Sequence, residues 1–214
     1  GPEVALTYAA DWSEYGGWQV PEAPGDLLFP LDPLWADANI DAVGIDNYLP
    51  VSDWRDDETQ PDAAAGGPHD LGYLGANIAG GEDFDWYYAS EADRLAGLRT
   101  PIADGAYGEP WVWRAKDFAG WWSHAHHPRI GGVRQASPTG WVPESKPIWF
   151  TELGCAAVDK GGNQPNVFPD AKSAEGGRPR FSTGSPDGLA QRQVLRAHLS
   201  HWVGAGNPIS GVYG

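Results

Sequence analysis

Three short apolar stretches recur along the chain, and polar side chains follow each of them. They are residues 4–10 (VALTYAA), 40–50 (IDAVGIDNYLP) and 146–155 (KPIWFTELGC). Their length and their β-branched and aromatic residues favour strands over helices. The second stretch alternates little between apolar and polar positions, which is typical of a strand covered on both faces. We therefore predict an α/β fold with buried parallel strands.

Acidic side chains mark the carboxyl end of each predicted strand. Asp11 and Glu14 follow the first strand, Asp46 closes the second, and Glu152 closes the third. Parallel neighbouring strands would bring these groups to one rim of the sheet, where α/β folds place catalytic groups. Burying an ionised carboxylate is costly unless it is paired or used. Glu152 is therefore either a functional carboxylate or one that only accepts hydrogen bonds from nearby loops.

Helical patterns lie between and after these strands. A helix is predicted over residues 70–79, with Leu71, Leu74 and Ile78 at helical spacing. A short turn or helix start is expected at residues 32–35, an extended segment at 105–113, and a short helix with Phe118, Trp121 and Trp122. A helix capped by Ser90 and Asp93, with Leu95 and Leu98 as apolar positions, is expected to end at Pro101.

The last part of the chain combines an irregular stretch with a long helix. Residues 158–185 are expected to be irregular and either functional or mobile, and residues 209–213 to form a strand or loop. The last helix has Ser185 as its N-cap and Pro186 at its first position, and its apolar stripe consists of Val194, Leu195, Leu199, Trp202 and Val203.

Charge and composition narrow the classes of partner. The 214 residues include 14 basic and 29 acidic side chains, a net charge of −15, whereas nucleic acid and anionic membranes demand a basic face. No apolar run approaches the roughly 18 residues of a membrane span, so we expect neither nucleic acid binding nor membrane insertion. The start at Gly1 and the absence of methionine favour a fragment of a longer protein. No internal repeat or linker divides the chain, which predicts a single domain over residues 1–214.

The twelve tryptophans are the most informative part of the composition. Aromatic side chains are good core material. In an acidic chain rich in glycine and proline they also suit sugar binding, because pyranose rings pack their C–H faces on indoles. The sequence leaves both uses open.

Glycoside hydrolysis is the chemistry that these residue types suit best. It needs two carboxyl groups across the scissile bond, one to donate a proton and one to attack the anomeric carbon or activate water. Glu152 suits the nucleophile, Tyr48 could orient it, and Trp149 or Trp35 could form a sugar platform. The acid is the weak point, since Glu14 and Asp46 are both candidates on the residues alone.

Two other kinds of site receive little support. The cluster of His124, His126 and His127 matches no strong zinc pattern and favours a solvated loop over a metal site. The single cysteine, Cys155, lacks an evident basic partner that would make it a nucleophile. No nucleotide-binding glycine motif is present. We expect neither a metal nor another cofactor.

Several longer runs together resemble a known family. They are YAADWSEY, IDAVGIDNYLPVSDWRD, FDWYYASEADR, DGAYGEPWVWRAKD, KPIWFTELGCAAVDKGGNQPNVF and GNPISGVYG. In combination they resemble the glycoside-hydrolase TIM-barrel-like domain of the large tail-hub proteins of gene transfer agents and related tailed phages. The resemblance covers essentially the whole chain.

The resemblance implies a (β/α)8 TIM barrel of the retaining-glycosidase type. PIWFTELG is similar to the strand-seven context of the nucleophile, which would be Glu152, and VGIDNY is similar to strand six. Residues 4–11 would then be strand five, so the chain is expected to be a partial barrel, truncated at both ends, with the acid/base glutamate upstream and strand eight downstream.

The implied function is hydrolysis or binding of a bacterial cell-envelope glycan, either surface polysaccharide or peptidoglycan. The expected location is the tail of a phage-like particle assembled in the bacterial cytoplasm, with other tail and baseplate proteins as partners. Glu152 is the expected catalytic residue. The expected substrate-binding residues are Asp11, Glu14, Trp35, Asp46, Asn47, Tyr48 and Trp149. The alternative is a catalytically inactive glycan-binding or structural baseplate domain.

Overall fold

A computed structural model describes residues 4–173 and 176–203 and shows a mixed α/β fold. The predicted strand or loop at 209–213 lies outside the described residues. The strands are β1 (Ala9–Asp11), β2 (Trp18–Gln19), β3 (Leu27–Leu28), β4 (Val43–Asn47), β5 (Trp86–Tyr87), β6 (Thr100–Pro101), β7 (Arg129–Ile130), β8 (Val133–Arg134) and β9 (Ile148–Leu153). The helices are α1 (Asp32–Trp35), α2 (Leu71–Ala76), α3 (Glu91–Ala96), α4 (Phe118–Ser123) and α5 (Gly188–Val203).

The described chain packs into two compact units, each built from separate stretches of sequence. The first contains residues 4–47 and 103–152, and the second contains residues 48–102 and 153–203 apart from the two residues not described. No helix within the described ranges is both long and apolar enough to cross a bilayer.

The three predicted strands form one sheet in the order β1-β4-β9. β1 and β4 are parallel, with Ala10 opposite Ile45. The Val43 amide donates to the Pro147 carbonyl at the start of β4 and β9 (2.9 Å), while Asp46 meets Thr151 at their ends, so these two strands also run in the same direction. Val43 and Ile45 are fully buried, as expected for a strand covered on both faces.

The first strand is shorter than its apolar pattern predicts. Only Ala9–Asp11 is a strand, whereas Val4, Leu6 and Tyr8 are 78%, 52% and 45% exposed. The Leu6 amide donates to the Asp41 carboxylate (2.7 Å), and the Leu6 carbonyl accepts from the Asp41 amide (2.8 Å), so residue 6 pairs with residue 41 outside the regular strand ladder. The described residues form no closed barrel, and their parallel sheet has three strands.

The rest of the first unit contains a small antiparallel sheet and two short helices. The sheet has the order β2-β3-β7-β8. The helices α1 and α4 confirm the short helices predicted at residues 32–35 and 118–122. The extended segment predicted at 105–113 is wrong in part, because Pro110–Trp113 forms a 3-10 turn that buries Trp111 and Val112.

Capping residues determine where the helices α2 and α3 of the second unit begin and where α3 ends. The Asp70 side chain accepts from the Tyr73 amide and starts α2, and Ser90 accepts from the Asp93 amide (3.1 Å) and starts α3. Gly97, with φ of 70°, ends α3 before the predicted Pro101. The expected apolar positions Leu95 and Leu98 are 66% and 61% exposed, so α3 does not bury that face.

The long last helix begins later than predicted. Asp187, not Ser185, caps it, since its carboxylate accepts from the Leu189 and Ala190 amides (both 3.0 Å). The expected stripe is buried at Val194 and Trp202 but exposed at two other positions, Leu199 and Val203. The irregular stretch before α5 is tied down by Asp159, which accepts hydrogen bonds from Ser182, Thr183 and Ser185.

Candidate functional site

The carboxyl edge of the parallel sheet is the candidate site. Asp11 and Asp46 close β1 and β4 and stand opposite each other in the strand register. On the next strand, the Thr151 hydroxyl donates to Asp46 Oδ1 (2.6 Å), and exposed Glu152 follows Thr151 directly. The strands that carry Asp11, Asp46 and Glu152 therefore end at one edge of the sheet, whereas the meeting of the three carboxylates in one site stays a prediction.

Two hydroxyl side chains fix the aspartates of this edge. Asp11 Oδ1 accepts from both the amide (2.9 Å) and the hydroxyl (2.6 Å) of Ser13. Thr151 holds Asp46 in the same way from the neighbouring strand. Both aspartates act as acceptors in these bonds. The edge thus presents carboxylates with fixed positions rather than loosely solvated acids.

The other predicted residues of the first unit lie in different surroundings. Glu14 is exposed, and its amide donates to the Asp11 carbonyl (2.8 Å) within the turn that follows β1. Asn47 is buried at the end of β4, with 3% exposure. Trp149 is half-buried on β9.

Trp35 is not presented as expected, whereas the predicted role of Tyr48 stays a prediction. The Trp35 ring is fully buried and donates to the Tyr15 carbonyl (3.0 Å), so it offers no exposed face to a sugar. Tyr48 belongs to the second unit, where its ring meets Phe168 edge-on at 5.9 Å. The prediction that Trp35 could form a sugar platform is therefore wrong.

Comparison with known proteins decides the family. The family model of the GTA TIM-barrel-like domain matches residues 1–214. The chain belongs to this family. No curated protein matches it. Membership in this family supports a gene transfer agent protein and an association with phage-like particles. The parallel sheet is in keeping with a TIM-barrel-like domain.

The histidine cluster of the GTA TIM-barrel-like domain is solvated only in part, since His124 is exposed. His126 is fully buried, with Nδ1 2.8 Å from Asp32 Oδ2 and Nε2 2.7 Å from the Trp121 carbonyl. His127 instead faces the Gln135 carbonyl (2.9 Å), so the two histidines share no common centre. Among the described residues, no group of three or more His, Cys, Asp or Glu side chains is arranged to hold a metal ion.

Cys155 has the surroundings of a structural thiol. Its side chain is 3% exposed, and burial raises its pKa to about 12. Because the thiolate is the reactive form, this environment does not suit a nucleophile.

Sequence reasoning missed Ser13 and Thr151. Ser13 carried a usable signal, because a serine two residues after an aspartate often closes a local side-chain turn. Thr151 carried none, since its partner Asp46 lies 105 positions away along the chain.

Proposed function

We propose that this GTA TIM-barrel-like domain hydrolyses a bacterial cell-envelope glycan, as part of the tail hub of a phage-like particle. The observation that carries the proposal is that the three parallel strands bearing Asp11, Asp46 and Glu152 end at the same edge of one sheet. That edge is the catalytic side of TIM barrels. The glycan would be a surface polysaccharide or peptidoglycan, and other tail and baseplate proteins would be the partners.

In this proposal Glu152 is the nucleophile of a retaining reaction. Its carboxylate attacks the anomeric carbon and forms a glycosyl ester, while a second carboxyl group gives its proton to the departing glycosidic oxygen. That second group then removes a proton from water, which cleaves the ester and restores Glu152. The second group would stand about 5 Å from Glu152, the spacing of retaining enzymes.

The aspartates have a different role in the proposal. Asp11 and Asp46 already accept hydrogen bonds from Ser13 and Thr151. They are therefore suited to accept hydrogen bonds from sugar hydroxyl groups. Glu14, Asn47 and Trp149 would lie along the bound glycan.

A second candidate function is glycan binding or baseplate structure without catalysis. The observation that favours it is that hydroxyl groups of the chain itself already hold both aspartates as acceptors. The edge would then recognise sugar hydroxyl groups and break no bond.

One experiment separates these functions. The full-length protein that carries this domain is incubated with peptidoglycan sacculi and with isolated surface polysaccharide, and both released reducing ends and sedimented protein are measured. Release of reducing ends supports the glycosidase. Sedimentation without release supports the binding domain, and the absence of both contradicts both glycan functions.

A further inference from the structure

An open cavity lies in the second unit, along the chain between β4 and α2. It measures about 380 Å³, within the range of roughly 300–1,000 Å³ that is usual for pockets that bind small molecules. Its walls all come from residues 54–63, which belong to that one unit. One short stretch of chain therefore forms a space large enough for a small ligand.

Gln60 presents an unused hydrogen-bond donor in this cavity. The residue is 8% exposed, and its Oε1 accepts from the Arg55 backbone amide (2.7 Å). Only the side-chain oxygen can accept that bond, so the place of the amide nitrogen is settled. Nε2 has no hydrogen-bond partner in the described part of the chain, yet it is not sealed off from solvent. Because Gln60 lines the cavity, two N–H groups are available to an oxygen of a ligand there.

Three consecutive acidic side chains, Asp56, Asp57 and Glu58, line the same cavity and supply acceptors. Lys160 Nζ lies 2.8 Å from Asp56 Oδ2, and Asp57 Oδ1 accepts from the amide (3.1 Å) and the hydroxyl (2.8 Å) of Thr59. Each of these carboxylates is thus held through one oxygen. Over the described ranges no three acidic, histidine or cysteine side chains are arranged to hold a metal ion. The acceptors therefore suit hydroxyl or ammonium groups of an organic ligand.

The donor is held in place from behind. The Arg55 guanidinium donates to the Tyr88 hydroxyl (2.8 Å) and lies 4.4 Å from the centre of the Phe181 ring. The Gln60 backbone amide donates to the Asp57 carbonyl (3.3 Å). Both partners of the hydrogen bond between Arg55 and Gln60 are therefore tied to the fold. The donor is positioned before a ligand arrives, which lowers the entropic cost of binding.

We propose that this cavity is a glycan subsite of the second unit and takes a neutral or ammonium-bearing sugar residue. Naming the ligand a glycan rests on the function proposed above. The Gln60 N–H groups donate to a ring or hydroxyl oxygen of the sugar, and the carboxylates accept from its hydroxyl or ammonium groups. Half-buried Trp54 adds apolar surface for its C–H groups. The lining has three carboxylates and one guanidinium, so it disfavours the carboxylate of a uronic acid.

Calorimetric binding of tetrasaccharides to the full-length protein tests the subsite. The probes are chitotetraose, which is neutral, its deacetylated form, which is cationic, and tetragalacturonate, which is anionic. Gln60→Glu keeps an oxygen for the Arg55 amide and replaces the donor by a second oxygen, so it should weaken binding of the neutral or cationic tetramer at least tenfold. Gln19→Glu makes the same change at an exposed position of the first unit and should bind like wild type. Equal binding by Gln60→Glu and wild type, or no binding of the neutral and cationic tetramers by wild type, would overturn the subsite.

A matched pair of alanine variants checks the location. Ala63 and Ala64 are exposed neighbours in the 3-10 turn Ala63–Ala65, and of the two only Ala63 lines the cavity. Because neither side chain is buried, both leucine variants should fold. Ala63→Leu places a larger side chain in the cavity and should weaken binding at least tenfold, whereas Ala64→Leu should bind like wild type. Equal binding by both variants would remove the cavity from the proposal, and tetragalacturonate binding that only Ala63→Leu weakens would contradict the charge preference.

Failure of the subsite and failure of the proposed function are distinguishable. Reducing ends released by the full-length protein, with tetrasaccharide binding unchanged in Gln60→Glu and Ala63→Leu, would remove the subsite and keep the hydrolase. Binding weakened by both variants, without release from either glycan, would keep the subsite and remove the chemistry.

Discussion

The ion pair between Asp104 and Arg129 gives a prediction whose size follows from the structure. Both carboxylate oxygens accept from the guanidinium, at 2.9 Å and 2.7 Å, and the Glu109 amide donates to the same carboxylate (2.9 Å). The two side chains are 4% and 3% exposed. These hydrogen bonds, those from Arg129 first, lower the pKa of Asp104 from 3.8 to about 2.

The sign of the pH effect follows from this shift. Because the pKa is lower in the folded protein, the stabilisation is fully present above the ordinary pKa of 3.8 and is lost as the pH falls through about 2. Lowering the pKa of Asp104 from 3.8 to about 2 is worth about 2 to 3 kcal/mol near neutral pH. At pH 3 about half of it remains.

Urea unfolding of wild type and Asp104→Asn from pH 7 to pH 3 measures this contribution. The variant should be less stable throughout, and the difference in free energy of unfolding should shrink by about 1 kcal/mol between pH 7 and pH 3. The exposed Glu22→Gln provides a control with the same change of charge. A difference that stays constant over this range would refute the assigned role of the carboxylate charge.

Three further predictions follow from local geometry. Iodoacetamide should fail to modify Cys155 in the folded protein at pH 8 and should modify it in urea, as read by mass spectrometry; rapid native labelling would contradict its burial and raised pKa. Gly44→Ala would bring a Cβ to within 2.7 Å of the Thr7 hydroxyl and closer still to the Tyr8 carbonyl. It should therefore lower the free energy of unfolding, measured in urea, by about 2 kcal/mol or more. An unchanged urea midpoint would count against the close approach of the two strands. Ser90→Ala removes the N-cap of α3 and should cost about 1 kcal/mol, with Ala89→Ser as an exposed neighbour that should cost nothing comparable.

Local signals along the sequence account for much of the fold. The run before Glu152 is bracketed by Pro147 and Gly154, and it forms β9 over Ile148–Leu153 as predicted. Asp70 and Ser90 start their helices because capping depends on neighbours three residues away. The strand ends could also be predicted to meet, since parallel neighbours place their carboxyl ends at one edge.

Features that depend on distant partners could not be predicted in the same way. The buried position of Trp35 depends on a hydrogen-bond partner, the Tyr15 carbonyl, that lies 20 positions away along the chain and so belongs to no local pattern. His126 is buried because Asp32, 94 positions away, faces one of its nitrogens. The exposed apolar positions Leu95 and Leu199 show that helical spacing alone does not establish burial.

If Glu152 is the nucleophile of a glycosidase, its carboxylate is essential for cleavage of the glycan. The most direct measurement is the release of reducing ends from peptidoglycan and surface polysaccharide by the full-length protein as wild type, Glu152→Gln and Glu22→Gln, at equal folded concentration. We expect release by wild type and Glu22→Gln, and loss of at least a hundredfold in rate for Glu152→Gln. Equal release by all three would show that Glu152 is not the nucleophile.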